Sequence, residues 1–195
     1  MCGIMNLRSM LLGFAIQTAI LGLIAWLHGR ETHSSQYLFL AGIVITIKAA
    51  AIPIFLAWVA QRIDVQRDKG VNLNPSLALF AGCGALATGY LLTPQVAGLG
   101  VKDPGAAGMA LALLFIGMLL MLTRRFAISQ VIGFLVLENG IFLYGLTQTH
   151  GMPIIVEMGV VLDVLVGVMV AGLVIFRLNR SFEHIDVTKL RGLKG

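Results

Sequence analysis

Six stretches of mostly apolar residues, at 5–27, 37–59, 75–92, 106–122, 129–149 and 154–176, constrain this chain more than any other feature. Each is close to the length a helix needs to cross a bilayer, about 20 residues. The runs are continuously apolar and show no period-2 alternation, which predicts helices rather than barrel strands. Hydrophobic residues make up 58% of the chain, charged residues only 12%, and the mean hydropathy is +0.92. A soluble domain carries about 25% charged residues. The expectation is an all-α, polytopic membrane protein with six transmembrane helices and almost nothing left over for a soluble domain.

The charges orient these helices. Arg8, Arg62, Arg67, Lys69, Arg124, Arg125, Arg177, Arg180, Lys189, Arg191 and Lys194 fall on one side, and Arg30 and Lys102 on the other. Positively charged loops stay in the cytoplasm, so both termini are expected there, in a bacterial or archaeal inner membrane. An even number of spans agrees. The first run is too long for the core of a cleaved signal peptide and reads as a retained helix. The expected layout is a two-helix hairpin with a cytoplasmic loop at 1–74 and a third helix with a Gly-rich outer loop (Pro94, Pro104) at 75–105. A three-helix unit at 106–176 and a cytoplasmic tail at 177–195 complete it. Pro75 and Pro153 stand where proline suits a first helical turn. Small residues at helix-packing spacing, Ala81, Ala85 and Gly89 in the third run and Gly167 and Ala171 in the sixth, favour close helix approach.

Within the membrane, three charges stand at similar depth. Glu138 interrupts the fifth run, Lys48 the second and Asp163 the sixth. An ionisable residue at the bilayer centre costs at least a few kcal/mol on insertion scales, so such residues face a bundle interior or a water path and often move ions. Glu138 reads as a proton carrier, with a carboxylate bonded to a neighbouring helix as the structural alternative. Lys48 reads equally as an ion-pair partner and as a group that exchanges a proton when a nearby carboxylate changes charge. Glu157 precedes Asp163 by six residues, which is about 9 Å along a helix and about 120° around it. The two are therefore no acid/base dyad, and Glu157 suits an entrance or structural role.

Other chemistry is poorly supported. Cys2 and Cys83 form no CxxC pair, which excludes an iron–sulfur or zinc framework. His28, His33, His150 and His184 fall at span ends or in loops, away from where a haem between helices would need them. No nucleophile triad, phosphate loop or metal cluster is visible. The basic residues cluster at span ends, which reads as topology rather than nucleic-acid binding. No catalytic centre and no cofactor of its own are expected.

The last three runs resemble subunit K of NADH-quinone oxidoreductase (complex I) and the C subunit of multi-subunit cation/proton antiporters. GFLVLENGIFL sets Glu138 in the family's first glutamate slot. VVLDVLVGVMVAGLVIFRLNR sets Asp163 in the second, where glutamate is usual. The tail FEHIDVTKLRG is similar to the subunit K ending. The six-span whole resembles hydrogenase-4 component E, the subunit K relative of membrane-bound group 4 NiFe-hydrogenase and formate hydrogenlyase complexes. The likeness covers the last 70 residues well, and the first 90 match mainly in span layout. It implies a non-catalytic membrane subunit lying between large antiporter-like proteins and the membrane protein nearest the quinone or hydrogenase site. Through these it would meet a hydrogenase or similar peripheral arm. Glu138 and Asp163 would then relay protons or charge laterally. Lys48 has no counterpart in subunit K. Two other readings stay open: a stand-alone or antiporter-complex proton-coupled cation transporter, and a structural scaffold. The missing internal repeat and the expected absence of broken mid-span helices speak against the first of these.

Overall fold

In the computed structural model the described residues are 7–62, 75–98, 101–124, 127–148 and separate helical positions between Gly159 and Gly172. The elements are α1 (Leu7–Glu31), α2 (Ser35–Ile43), a π-helical segment (Val44–Ala51), α3 (Ile52–Arg62), α4 (Pro75–Ala97), α5 (Pro104–Thr123) and α6 (Ala127–Gln148). Four helical stretches are long and apolar enough to cross a membrane: Leu7–Glu31, Ser35–Gln61, Pro104–Thr123 and Ala127–Gln148. A further helix, α4, stands at the third expected run. Most of the sixth run, the tail and Glu157 lie outside the described residues.

Two expectations need correction. The third run was expected to end at 92 with Pro94 in a loop, yet α4 continues through Pro94 to Ala97. Proline forfeits one ladder bond, a small loss near a helix end where carbonyls already lack partners. The Gly98 amide still donates to Pro94 O at 3.1 Å. The second run was expected to be an unbroken α-helix, and its α register is instead interrupted by the π segment.

Local chemistry sets the turns. Between α1 and α2, His33 adopts φ 49° and the Ser34 amide donates to Gly29 O at 3.1 Å. This six-to-one bond over a left-handed residue closes a helix end and turns α2 back along α1. Asp103 caps α5 by accepting from the Ala106 amide at 3.0 Å, with Pro104 in the first turn. Gln148, ending α6, donates to Asp103 O at 2.8 Å and accepts from the Asp103 amide at 3.3 Å. The far end of α6 is thereby tied to the start of α5.

Packing runs through α1 and α6. The α5–α6 pair is the most extensive, α4 rests on α5, and α1 contacts α2, the π segment, α3 and α6. Helix pairs in lipid gain little from hydrophobicity and rely on close fit. Glycines supply that fit between α5 and α6. A Cβ on Gly140 would lie 2.8 Å from Ala110 O and 3.0 Å from Leu114 N, and one on Gly117 would meet the Leu137 backbone. Gly89 plays the same part between α4 and α5, where a Cβ would sit 2.8 Å from that of Ala112. Gly167, expected to pack, meets nothing among the described residues within 4 Å.

The buried side chains form two apolar halves. One unites Leu7, Met10, Leu11 and Phe14 with Leu56, Val59 and Ala60, with Ile128, Ile132, Leu135 and Val136, and with Val166 and Val170. The other unites Leu21 and Ala25 with Tyr37, Leu40, Ala41 and Val44, and with Ala110, Phe142, Leu143 and Leu146. Along α1 the gap between the halves holds Thr18, along α6 it holds Glu138 and Asn139, and along the second span it holds Lys48. A polar layer thus crosses the bundle at mid-height. The close α5–α6 approach sets the rotation of α6 and so aims that layer. Replacing Gly140 by alanine is expected to cost about 1–3 kcal/mol through overpacking. Gly82→Ala, inside α4 with nothing within 4 Å, should cost nothing and add up to about 1 kcal/mol through helix propensity. Thermal unfolding of both variants in detergent checks this.

Candidate functional site: a buried three-charge cluster

Lys48, Glu138 and Asp163 come together at mid-height. Lys48 Nζ lies 3.1 Å from Glu138 Oε2 and 3.6 Å from Asp163 Oδ1. Glu138 is 3% exposed, the Lys48 side chain 7% and the Asp163 side chain 12%. One ammonium therefore serves two carboxylates, each from a different helix. In a low-dielectric interior this mutual attraction offsets a desolvation cost of several kcal/mol per ion only when all partners are in place.

Each side chain is presented by its own local structure. Glu138 sits at the centre of α6, on the strip that buries Ile132, Leu135, Phe142 and Leu146. Lys48 projects from the π segment, with Val44 as the other buried residue there. Asp163 belongs to the helical positions after Gly159, beside the buried Val166 and Val170. Glycine at 159 keeps space beside Glu138, since a Cβ there would stand 3.7 Å from Oε1. Among the described residues that oxygen has no hydrogen-bond partner. The Lys48 contacts are ion pairs rather than aligned hydrogen bonds, so the cluster is held by charge and keeps acceptor capacity.

The three residues singled out from sequence are thus brought into one site. Glu157 lies outside the described residues. Sequence reasoning missed a second polar contact in the same layer. Asn139 Nδ2 donates to Thr18 Oγ1 at 2.8 Å, and Thr18 Oγ1 donates to Phe14 O at 2.8 Å. Asn139 is 1% exposed and Thr18 fully buried. The bond locks α1 against α6 next to Glu138. The available signal was Thr18 standing at mid-depth of the first run, level with Asn139. Among the described residues no group of three His, Cys, Asp or Glu is placed to hold a metal ion.

Comparison with known proteins gives relatives over most of the chain. It is 34% identical to the uncharacterized protein Rv0085 of Mycobacterium tuberculosis, over 97% of this chain and 87% of that protein. It is 25% identical to hydrogenase-4 component E of Escherichia coli K12 and of Shigella flexneri, over 83% of this chain and 76% of those proteins. No protein-family model matches, and no solved structure matches. The alignments reach well beyond the last 70 residues and take in the span that carries Lys48. On this similarity the chain belongs, as a distant member, to the hydrogenase-4 component E family.

Proposed function

We propose that this chain is a non-catalytic membrane subunit of a complex I-like, membrane-bound hydrogenase or related oxidoreductase complex. In this reading the Lys48–Glu138–Asp163 cluster relays protons or charge and couples redox chemistry to ion translocation. One observation carries it: a single ammonium lies between two buried carboxylates at the middle of an apolar bundle. Two negative charges and one positive charge leave the fully ionised cluster with one uncompensated charge. An isolated charge in such surroundings is costly. The neutral cluster holds one proton between the two acids, and that proton is the exchangeable species.

The family supports the setting. Its enteric members are named as components of hydrogenase-4, which supports reading this chain as one of the membrane subunits of a larger assembly. Its neighbours would be antiporter-like proteins and the membrane protein nearest the quinone or hydrogenase site, with a peripheral oxidoreductase arm beyond them. The charge pattern puts both termini of a six-span chain in the cytoplasm of a bacterial or archaeal cell. Coupled sites of this kind exchange protons as a unit rather than residue by residue. Asp163, the most exposed of the three, is then the member nearest to a neighbouring protein or a water path.

Two experiments test this. Glu138→Gln and Asp163→Asn should each allow the complex to assemble and turn over electrons at near wild-type rate, while the proton-to-electron ratio drops to less than half. An unchanged ratio in both variants would overturn the reading. The joint variant Lys48→Met with Glu138→Gln and Asp163→Asn separates relay from scaffold. A scaffold built from ion pairs tolerates concerted removal of its charges, whereas a relay loses coupling in a folded, assembled complex. Ion uptake by inverted vesicles, measured alongside electron transfer, gives the answer.

A further inference from the structure

The second membrane span must bury two faces that do not match in an α-helix. Upstream, Tyr37, Leu40, Ala41 and Val44 are buried. Downstream, Leu56, Val59 and Ala60 are buried. At about 100° per residue the centres of these two sets are about 100° apart, which is one residue. Both sets pack on the same straight helix, because α1 buries a continuous strip from Leu7 through Phe14, Thr18 and Leu21 to Gly29. One extra residue must therefore be absorbed between Val44 and Leu56, and the π segment Val44–Ala51 absorbs it. The Ile52 amide reaches back five residues to Ile47 O, one more than in an α-helix.

The local sequence favours that register. Pro53 follows the segment and is buried. Proline has no amide N–H, and its ring crowds the carbonyl four residues back in an α-helix, here Ala49. A wider turn moves that carbonyl aside. Thr46 Oγ1 donates to Gly42 O at 2.7 Å, a side-chain bond that competes with the backbone ladder. Single π turns inside α-helices occur frequently at functional sites, and this one carries Lys48.

We propose that the π segment, backed by Pro53, is the positioning device of the cluster. Its extra residue aims Lys48 at Glu138 and Asp163 while leaving Leu56, Val59 and Ala60 in the core. In the α register continued from α2, Lys48 lies about 30° from the centre of the upstream face. In the register continued backwards from α3 it lies about 70° off the downstream face, on the other side. The place at which the extra residue is absorbed therefore decides whether the ammonium meets the carboxylates. The functional part of this inference rests on the relay reading, and the geometric part does not.

Two single-residue deletions separate these registers. Deleting Ala50, after Lys48, or Ile45, before it, restores the α register and brings both apolar faces into phase. Only the second swings Lys48 out of the cluster. The first readout is dipolar recoupling between lysine ¹⁵Nζ and Asp/Glu ¹³C-carboxyl carbons in the full chain in lipid. The second is ion uptake per electron in the assembled complex. The Ala50 deletion should keep the Lys48–carboxyl coupling and most of the ion uptake. The Ile45 deletion should lose both, matching Lys48→Met. Retention of the dipolar coupling in the Ile45 deletion, or its equal loss in both deletions, would overturn the positioning role. Loss of the contact in the Ile45 deletion with ion uptake unchanged there and in Lys48→Met would sink the relay reading and leave the positioning role standing.

Discussion

A charge placed in hydrocarbon needs a counter-charge, and the rest of this bundle is organised around that requirement. Lys48 meets it for Glu138 and Asp163 at 3.1 and 3.6 Å. Truncating one member of a buried pair typically costs about 3–5 kcal/mol, because the other charge is left stranded. Helices that share such an arrangement are fixed in rotation and in height. The two apolar halves above and below the layer gain little from hydrophobicity in lipid, and outside the close glycine contacts of α5 and α6 they fix helix rotation only weakly. The polar layer supplies the register that they lack.

That register has to agree with backbone geometry along every helix at once. In α1 it comes easily, since its buried residues recur at three and four positions and Thr18 falls in the same strip. In α6 Glu138 and Asn139 are adjacent and point about 100° apart. One faces the cluster and the other reaches Thr18. The second span is the one in which α periodicity and the two faces disagree, and its geometry yields there, around Lys48. The altered register and the charged residue coincide because the segment that returns both apolar faces to α1 also turns Lys48 toward Glu138 and Asp163.

Much of this was legible in the sequence because the relevant signals are conspicuous. A glutamate, a lysine and an aspartate inside apolar runs stand out against their surroundings, and insertion cost makes their mutual approach the economical outcome. Which carboxylate pairs with Lys48 was not legible, since spacing within a run says nothing about rotation between helices. The answer is both. Thr18 and Asn139 escaped notice because a hydroxyl satisfies itself on its own helix and costs little in an apolar run. The π segment left a trace, the one-residue phase slip between Val44 and Leu56 followed by Pro53, but a continuous apolar run hides phase until the buried face is known. Pro94 was read as a loop residue because proline usually ends helices, and its place in the last turn makes the exception cheap. The glycine contacts of α5 and α6 went unread because 23 glycines are spread through the chain, and only the partner helix shows which ones matter.

The geometry of the cluster also bears on how charge would move through it. The ammonium is already within 4 Å of both acids, and its distances to them differ by only 0.5 Å (3.6 − 3.1). Lysine carries its charge on a flexible four-carbon stem with three donors. In the relay reading, a proton passing from one carboxyl to the other changes which acid needs the ammonium, and a small rotation of the Lys48 stem follows it. No helix has to shift and no core contact has to open. The tightly interleaved glycine faces of α5 and α6 and the Thr18–Asn139 lock are consistent with that economy. They hold the carboxylates' scaffold still, so the mobile part is confined to one side chain and one proton.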